Sequence, residues 1–139
     1  MANASPDFLW LAVRDTSSYL LRRRVSGRSG MGKAGTELTT EPNNPTGRNS
    51  WKYSGIANPK TVDVVPTEGG VVLTTKSRNP KRINKPNKMY NKVTLTKDFR
   101  RVAKAITKET CDNYYRPDLN KAVLAKWSLL YKAQKKAKK

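Results

Sequence analysis

The sequence predicts a small α+β fold, in which an antiparallel β-meander packs with one N-terminal and two C-terminal helices. Two β-branched segments, one around Val62 and Val64 and one from Val71 to Thr75, flank the turn-forming residues 66–70, a pattern typical of a hairpin. Two amphipathic stretches follow towards the C-terminus. The length of 139 residues favours a single mixed domain over residues 1–131. Hydrophobic residues make up only 36% of the chain, which predicts a small core with basic extensions.

The N-terminal third is predicted to contain one helix and two short strands. Ser5 as N-cap and Pro6 in the first turn predict a helix over residues 5–14, and a strand is expected over residues 16–21. The Gly-rich residues 25–36 are expected to form a flexible loop. Trp51 and Tyr53 alternate with polar residues, which predicts a strand with both rings on one face. Core packing is favoured for these rings, and stacking on RNA bases is the alternative.

The C-terminal half combines a basic segment with two helices. No acidic residue occurs from residue 69 to residue 97, so residues 76–92 are expected to be extended and exposed. A helix from Leu95 to Lys108 is expected to bury one stripe of apolar residues and to expose a cationic face. A second helix begins near Pro117, and its Leu124 and Tyr131 are expected to form a separate apolar patch. Residues 132–139 are predicted to be a basic tail. The two predicted buried stripes consist of Leu95, Phe99, Val102 and Ile106, and of Leu119, Val123, Trp127 and Leu130.

The charge of the chain indicates a polyanionic partner. Twenty-nine Lys and Arg residues against ten Asp and Glu residues give a formal net charge of +19, and nucleic acid fits this excess best because phosphate binding releases condensed counterions. No stretch approaches the roughly 18 apolar residues of a spanning helix, and no export signal is evident. We therefore expect a soluble protein with no membrane partner.

Catalytic and metal sites are not expected. The chain has no histidine and a single cysteine, Cys111, so it lacks the commonest general base and cannot form a structural zinc site or an internal disulfide. Residues 27–34 resemble a phosphate-binding loop, but Ala34 replaces the hydroxyl residue that binds magnesium. We expect no enzymatic activity, no cofactor and no small-molecule substrate. Cys111 is interpreted as a small packing residue near a helix end.

Basic and amide side chains spread along the sequence are the candidate RNA-binding residues, because cations hold phosphates and aromatic neighbours stack on bases. They are Arg14, Arg22, Arg23, Arg24, Arg48, Asn49, Lys52, Lys60, Lys76, Arg78, Lys81, Arg82, Lys85, Lys88, Arg100, Arg101, Lys104 and Arg116.

Several short motifs occur together in a recognisable order. They include Glu41-Pro42-Asn43-Asn44, Arg48-Asn49-Ser50 and Tyr115-Arg116-Pro117-Asp118-Leu119. With these motifs, residues 8–125 resemble the eukaryote-specific ribosomal protein twenty-eight family of the large (60S) subunit.

The resemblance implies a non-enzymatic structural protein on the ribosomal RNA of the cytosolic large subunit, with assembly in the nucleolus and possible contacts to neighbouring ribosomal proteins. It carries over Arg14, Arg48, Asn49, Lys60 and Arg116 as RNA or structural anchors. Residues 25–36 look like an insertion, and the basic tail looks shorter than in animal members. The alternative is a free nucleic-acid-binding protein, such as a chromatin or RNA-processing factor.

Overall fold

The computed structural model describes residues 4–21, 37–68, 70–83 and 85–137. The predicted Gly-rich loop 25–36 and the triplet Arg22, Arg23 and Arg24 lie outside the described residues. The described elements include two antiparallel sheets and helices on either side of them in sequence, so the predicted α+β class is confirmed. No helix in these ranges is both long enough and apolar enough to cross a lipid bilayer.

The larger sheet is a three-stranded meander of β3 (Val62–Thr67), β4 (Gly70–Lys76) and β5 (Tyr90–Leu95), with β4 in the centre. The predicted hairpin is confirmed, with Val64 opposite Leu73 and Thr67 opposite Gly70. Pro66 lies in β3, which it can do because β3 is an edge strand and a missing amide donor costs little there.

The strand predicted around Trp51 and Tyr53 is wrong. Residues 51–53 form a turn, in which the Tyr53 and Ser54 amides both donate to the Ser50 carbonyl oxygen at 3.1 Å. The third strand of the meander is β5 instead, which pairs on the other side of β4 with Val93 opposite Leu73. The favoured core packing also fails for Trp51, whose residue is 45% exposed, whereas Tyr53 packs against the core.

Two C-terminal helices cover the sheet. Helix α4 (Phe99–Thr107) continues into a π-helical turn (Lys108–Asp112), and a 3-10 turn (Pro117–Leu119) leads into α5 (Asn120–Ala137). The fully buried Trp127 of α5 and the buried Ile106 of α4 join the apolar sheet residues in one core. Helix α5 packs against β3, β4 and α4. Because α5 extends to Ala137, the basic tail predicted over residues 132–139 begins inside this helix.

The helix stripes are confirmed in part. Val102, Ile106, Leu119, Val123 and Trp127 are buried as predicted. Four other residues differ from expectation. Leu95 is buried at the end of β5 rather than in a helix, and Phe99 is 48% exposed at the first position of α4. Leu124 and Tyr131 form no separate patch, because both pack against the core and Tyr131 stacks on Trp127 with ring centroids 5.0 Å apart.

The N-terminal helix α1 (Pro6–Val13) is confirmed, and the Ser5 hydroxyl caps it by accepting from the Phe8 amide at 3.3 Å. The strand predicted over residues 16–21 is shorter than expected. Only β1 (Leu20–Leu21) is extended, and it pairs with β2 (Leu38–Thr39) in the smaller sheet.

The basic segment 76–92 is not uniformly extended. It contains two single-turn helices, α2 (Pro80–Ile83) and α3 (Pro86–Met89), before it enters β5. Each begins with a proline, whose fixed φ suits a first helical turn and whose missing amide is not needed there. Proline therefore accounts for the start of both short helices in this segment.

Candidate nucleic-acid interface

Residues 37–61 contain little regular structure and are shaped by their own polar side chains; we call them the polar frame. Glu41 is buried at its centre. Its Oε1 accepts hydrogen bonds from the Ser54 hydroxyl and from the Ile56 amide, both at 2.7 Å. Because a buried donor without an acceptor costs free energy, these bonds fix the chain path around residue 54.

Two asparagines of the sequence motifs also act inside the polar frame. Asn44 Oδ1 accepts from the Gly47 amide at 2.8 Å, and its Nδ2 donates to the Arg48 carbonyl oxygen at 2.9 Å. Asn49 Nδ2 donates to the Arg14 carbonyl oxygen at 2.9 Å and thereby ties the frame to the residue after α1. The side-chain amides of Asn44 and Asn49 thus fix the backbone that carries Arg48 and Arg14.

Tyr115 is the centre of a cluster of cations that are distant in sequence. Its hydroxyl donates to the Lys76 carbonyl oxygen at 2.5 Å and accepts from the Thr61 amide at 3.3 Å. Arg78 Cζ lies 5.1 Å from the ring centroid and Lys60 Nζ lies 6.0 Å from it, which are cation–π distances. Burial raises the pKa of the Tyr115 hydroxyl, against the opposing effect of its hydrogen bonds and of nearby arginines.

Arg116 closes this cluster through hydrogen bonds to three other residues. Its guanidinium donates to the carbonyl oxygens of Lys60 at 2.9 Å and Lys52 at 2.7 Å, and it forms a two-point ion pair with Asp118 at 2.8 Å. The hydrogen bond from Arg116 is the main cause that lowers the pKa of the Asp118 carboxyl. Arg116 therefore joins the polar frame to the turn before α5. We call Lys52, Lys60, Lys76, Arg78, Tyr115 and Arg116 the Tyr115 cluster.

Lys76 and Arg78 also use their charged groups within the chain. Lys76 is half-buried, and its Nζ donates to the Asn58 carbonyl oxygen at 3.1 Å. Burial lowers the pKa of Lys76, partly offset by the nearby Glu41 carboxylate. Arg78 is exposed but donates to the Asn113 carbonyl oxygen at 2.7 Å.

Most of the other candidates within the described residues present their charged groups to solvent. Those on α2, α3 and α4, together with Lys85 directly before α3, are exposed and have no ion-pair partner within the described part of the chain. We call these seven residues the open cations: Lys81, Arg82, Lys85, Lys88, Arg100, Arg101 and Lys104. Arg48 and Arg14 are exposed as well, and Arg14 pairs with Asp15 at 3.0 Å.

Sequence patterns did not indicate the roles of Glu41, Asn43 or Tyr115. Asn43 adopts a positive φ of 61° and its Oδ1 accepts from the Thr74 hydroxyl at 3.1 Å, so it fastens the frame to β4. The only available indication was the occurrence of the two motifs, since asparagine tolerates left-handed backbone. In the described ranges, no group of three or more acidic or cysteine side chains is arranged to hold a metal ion.

Taken together, the fold and this surface define a small, strongly basic α+β protein whose cations either brace its backbone or face solvent. The chain belongs to the Ribosomal L28e protein family, which matches residues 8–133. It is 33% identical over 138 residues to the "Large ribosomal subunit protein eL28" of Schizosaccharomyces pombe, covering 98% of this chain and 97% of the relative. The protein of that name from Dictyostelium discoideum is 29% identical over 136 residues, or 97% and 92% of the two chains. The one from Caenorhabditis elegans is 35% identical over 104 residues, or 72% and 73%.

Proposed function

We propose that this protein is a structural constituent of the cytosolic large ribosomal subunit and that it stabilises folded ribosomal RNA without enzymatic activity. The observation that carries the proposal is the set of open cations on α2, α3 and α4, which lack an acidic partner within the described residues. Membership of the Ribosomal L28e family supports the choice of partner, and relatives carry names that place them in the large subunit.

The mechanism is neutralisation of phosphate repulsion by charges held on a rigid body. RNA segments that pack closely repel each other, and each lysine or arginine that engages a phosphate also releases a condensed counterion. The single-turn helices α2 and α3 and the residue that precedes α3 present Lys81, Arg82, Lys88 and Lys85, and α4 presents its cations on the face opposite the buried Val102.

The candidate RNA-binding residues divide into two roles under this proposal. Arg116, Asn49 and Lys76 position the backbone, because their polar groups already bond within the chain. The open cations contact phosphates directly, together with Arg48, Lys52 and Lys60. Arg14 and Arg78 support both roles, since each is exposed and also holds an internal bond. Arg22, Arg23 and Arg24 are proposed phosphate ligands on their sequence alone.

The proposed partners are the ribosomal RNA of the large subunit and neighbouring ribosomal proteins, with assembly in the nucleolus. A free chromatin or RNA-processing factor would use the same charges, so sedimentation separates the two functions. A structural constituent remains with large subunits through a high-salt wash. A free factor is released into the supernatant.

Binding of the purified protein to a structured RNA tests the role of the open cations. Lys81→Ala, Lys85→Ala and Lys88→Ala combined should lower the affinity and flatten the log–log salt slope by up to about three units, at about 0.9 per phosphate on a duplex. The matched control replaces three exposed lysines of α5, Lys121, Lys132 and Lys136, by alanine. Equal losses in both triple variants would mean that net charge, and not this surface, drives binding.

A further inference from the structure

A groove of about 400 Å³ opens beside the Tyr115 cluster. It lies where the start of α1, the second half of the polar frame and the turn before α5 meet. Its volume is in the range of sites that hold a small organic group. The residues that line it are Pro6, Trp51, Lys52, Asn58, Pro59, Lys60, Arg116 and Asp118.

The apolar part of the groove is the Trp51 side chain, whose backbone is fixed by hydrogen bonds from other parts of the chain. Trp51 is 45% exposed, although a ring of this size normally gains free energy from burial. Its carbonyl oxygen accepts from the buried Asn58 side chain at 2.6 Å, and the next carbonyl, that of Lys52, accepts from Arg116 at 2.7 Å. The loop is therefore braced at Trp51 itself and at the next residue, so a ligand would meet an aromatic surface whose backbone is already ordered.

The polar part of the groove is cationic. Lys52, Lys60 and Arg116 line it together with one acid, Asp118, which Arg116 pairs at two points. The lysines are exposed, so their ammonium groups are accessible from the groove mouth. An apolar peptide would leave these charges unmatched, whereas a nucleotide offers both an aromatic ring and a phosphate.

We infer that this groove binds an unpaired nucleobase of the RNA, with the base stacked on Trp51 and bordered by Pro6 and Pro59, and with adjacent phosphates at Lys52 and Lys60. The inference rests on the proposed function and adds a second mode of contact to it. The open cations bind phosphates of any RNA helix, whereas the groove accepts only a base that has left its stack.

Two RNA probes with the same number of phosphates test the inference. One is a hairpin with a single-stranded loop of about ten nucleotides, and the other is a fully paired duplex. Trp51→Ala should weaken hairpin binding about 5- to 150-fold, the range of one base–aromatic stack, and leave duplex binding unchanged. Trp51→Phe should retain most of the hairpin affinity. The matched control is Tyr114→Ala, which removes a ring that is 85% exposed and does not line the groove.

A 2-aminopurine in the hairpin loop reports stacking directly, because its fluorescence should be quenched by the wild-type protein and not by Trp51→Ala. The inference is overturned if Trp51→Ala binds both probes as the wild type does, if it loses both equally, or if Tyr114→Ala has the same effect. It is also overturned if an acidic peptide displaces the hairpin but not the duplex, which would assign the groove to a protein. Failure of the wild type to bind either probe would instead refute the proposed function.

Discussion

The apolar body and the polar frame are stabilised in different ways. In the body, which comprises β3, β4, β5, α4 and α5, buried aliphatic and aromatic side chains form one cluster around Trp127. In the frame, Pro45 and Ala57 are the buried apolar side chains, and buried Glu41, Asn44, Ser54 and Asn58 hydrogen-bond instead. Apolar packing tolerates many sequences, but a hydrogen-bond network requires particular atoms. This difference explains why two of the three recognisable motifs, residues 41–44 and residues 48–50, fall in the frame.

The largest effect is expected from Trp127→Ala in the apolar body. The side chain is fully buried, so its removal should cost about 3–5 kcal/mol of unfolding free energy. Phe99→Ala is the matched aromatic control, because this ring lies 5.3 Å from Trp127 but is 48% exposed. Its loss should cost about 1–2 kcal/mol, in line with partial burial and one ring contact. Urea unfolding measures both. Equal costs would show that the core does not centre on Trp127.

Lys126→Met should have the next largest effect, because Lys126 links the two regions. Its Nζ donates to Asp63 Oδ1 in β3 at 2.6 Å and to the Asn44 carbonyl oxygen in the frame at 3.4 Å. Removing the lysine leaves the buried Asp63 carboxylate uncompensated, which should cost about 3 kcal/mol near neutral pH. Adding Asp63→Asn should recover most of the loss, and a double variant as unstable as Lys126→Met would contradict this explanation.

The pH dependence of Lys126→Met follows from the sign of the Asp63 shift. Burial raises the pKa of Asp63 above its ordinary value of 3.8, and Lys126 opposes that rise. Without Lys126 the folded-state pKa should rise further. A raised carboxyl pKa makes the folded state bind protons more tightly, so stability is lost as pH rises through the shifted pKa. The deficit relative to wild type should therefore shrink on acidification, and urea midpoints across pH check it.

The smallest effect is expected from Glu41→Gln in the polar frame. The amide keeps the shape of the carboxylate but replaces two charge-assisted hydrogen bonds by weaker neutral ones, which should cost about 1 kcal/mol. Hydrogen exchange should quicken at the Ile56 amide, which bonds to Glu41 Oε1, while the amides of β4 keep their protection. Uniform acceleration across both regions would show that the frame and the body unfold as one unit.

The sequence predicted the elements whose signals are local. The Ser5 cap, the hairpin between β3 and β4 and the Val102 and Ile106 stripe depend on neighbours within a few residues. β5 was missed because it is an edge strand with only Leu95 buried, so it lacks the alternation that identifies a half-buried strand.

The errors and omissions in the candidate site have a long-range cause. Trp51 and Tyr53 alternate as a strand would, but Asn58 and Arg116 hold that segment as a turn. Tyr115 contacts Lys76 and Thr61 across separations of 39 and 54 residues. No local pattern contains such information. The cationic side chains could therefore be named from the sequence, but their division into bracing and open groups required the fold.

The close approach at Gly55 has an evolutionary consequence. A Cβ atom at this position would overlap the carbonyl oxygen of Pro42 and press on the Asn43 side chain at 3.0 Å. Any substitution must move the backbone of the neighbouring motif, which Glu41 holds through Ser54 and Ile56. Single changes at Gly55 are therefore blocked, and the glycine and the Pro42–Asn43 backbone are constrained to change together. Substitution is tolerated at the solvent-facing lysines, because arginine can replace lysine there without moving the backbone.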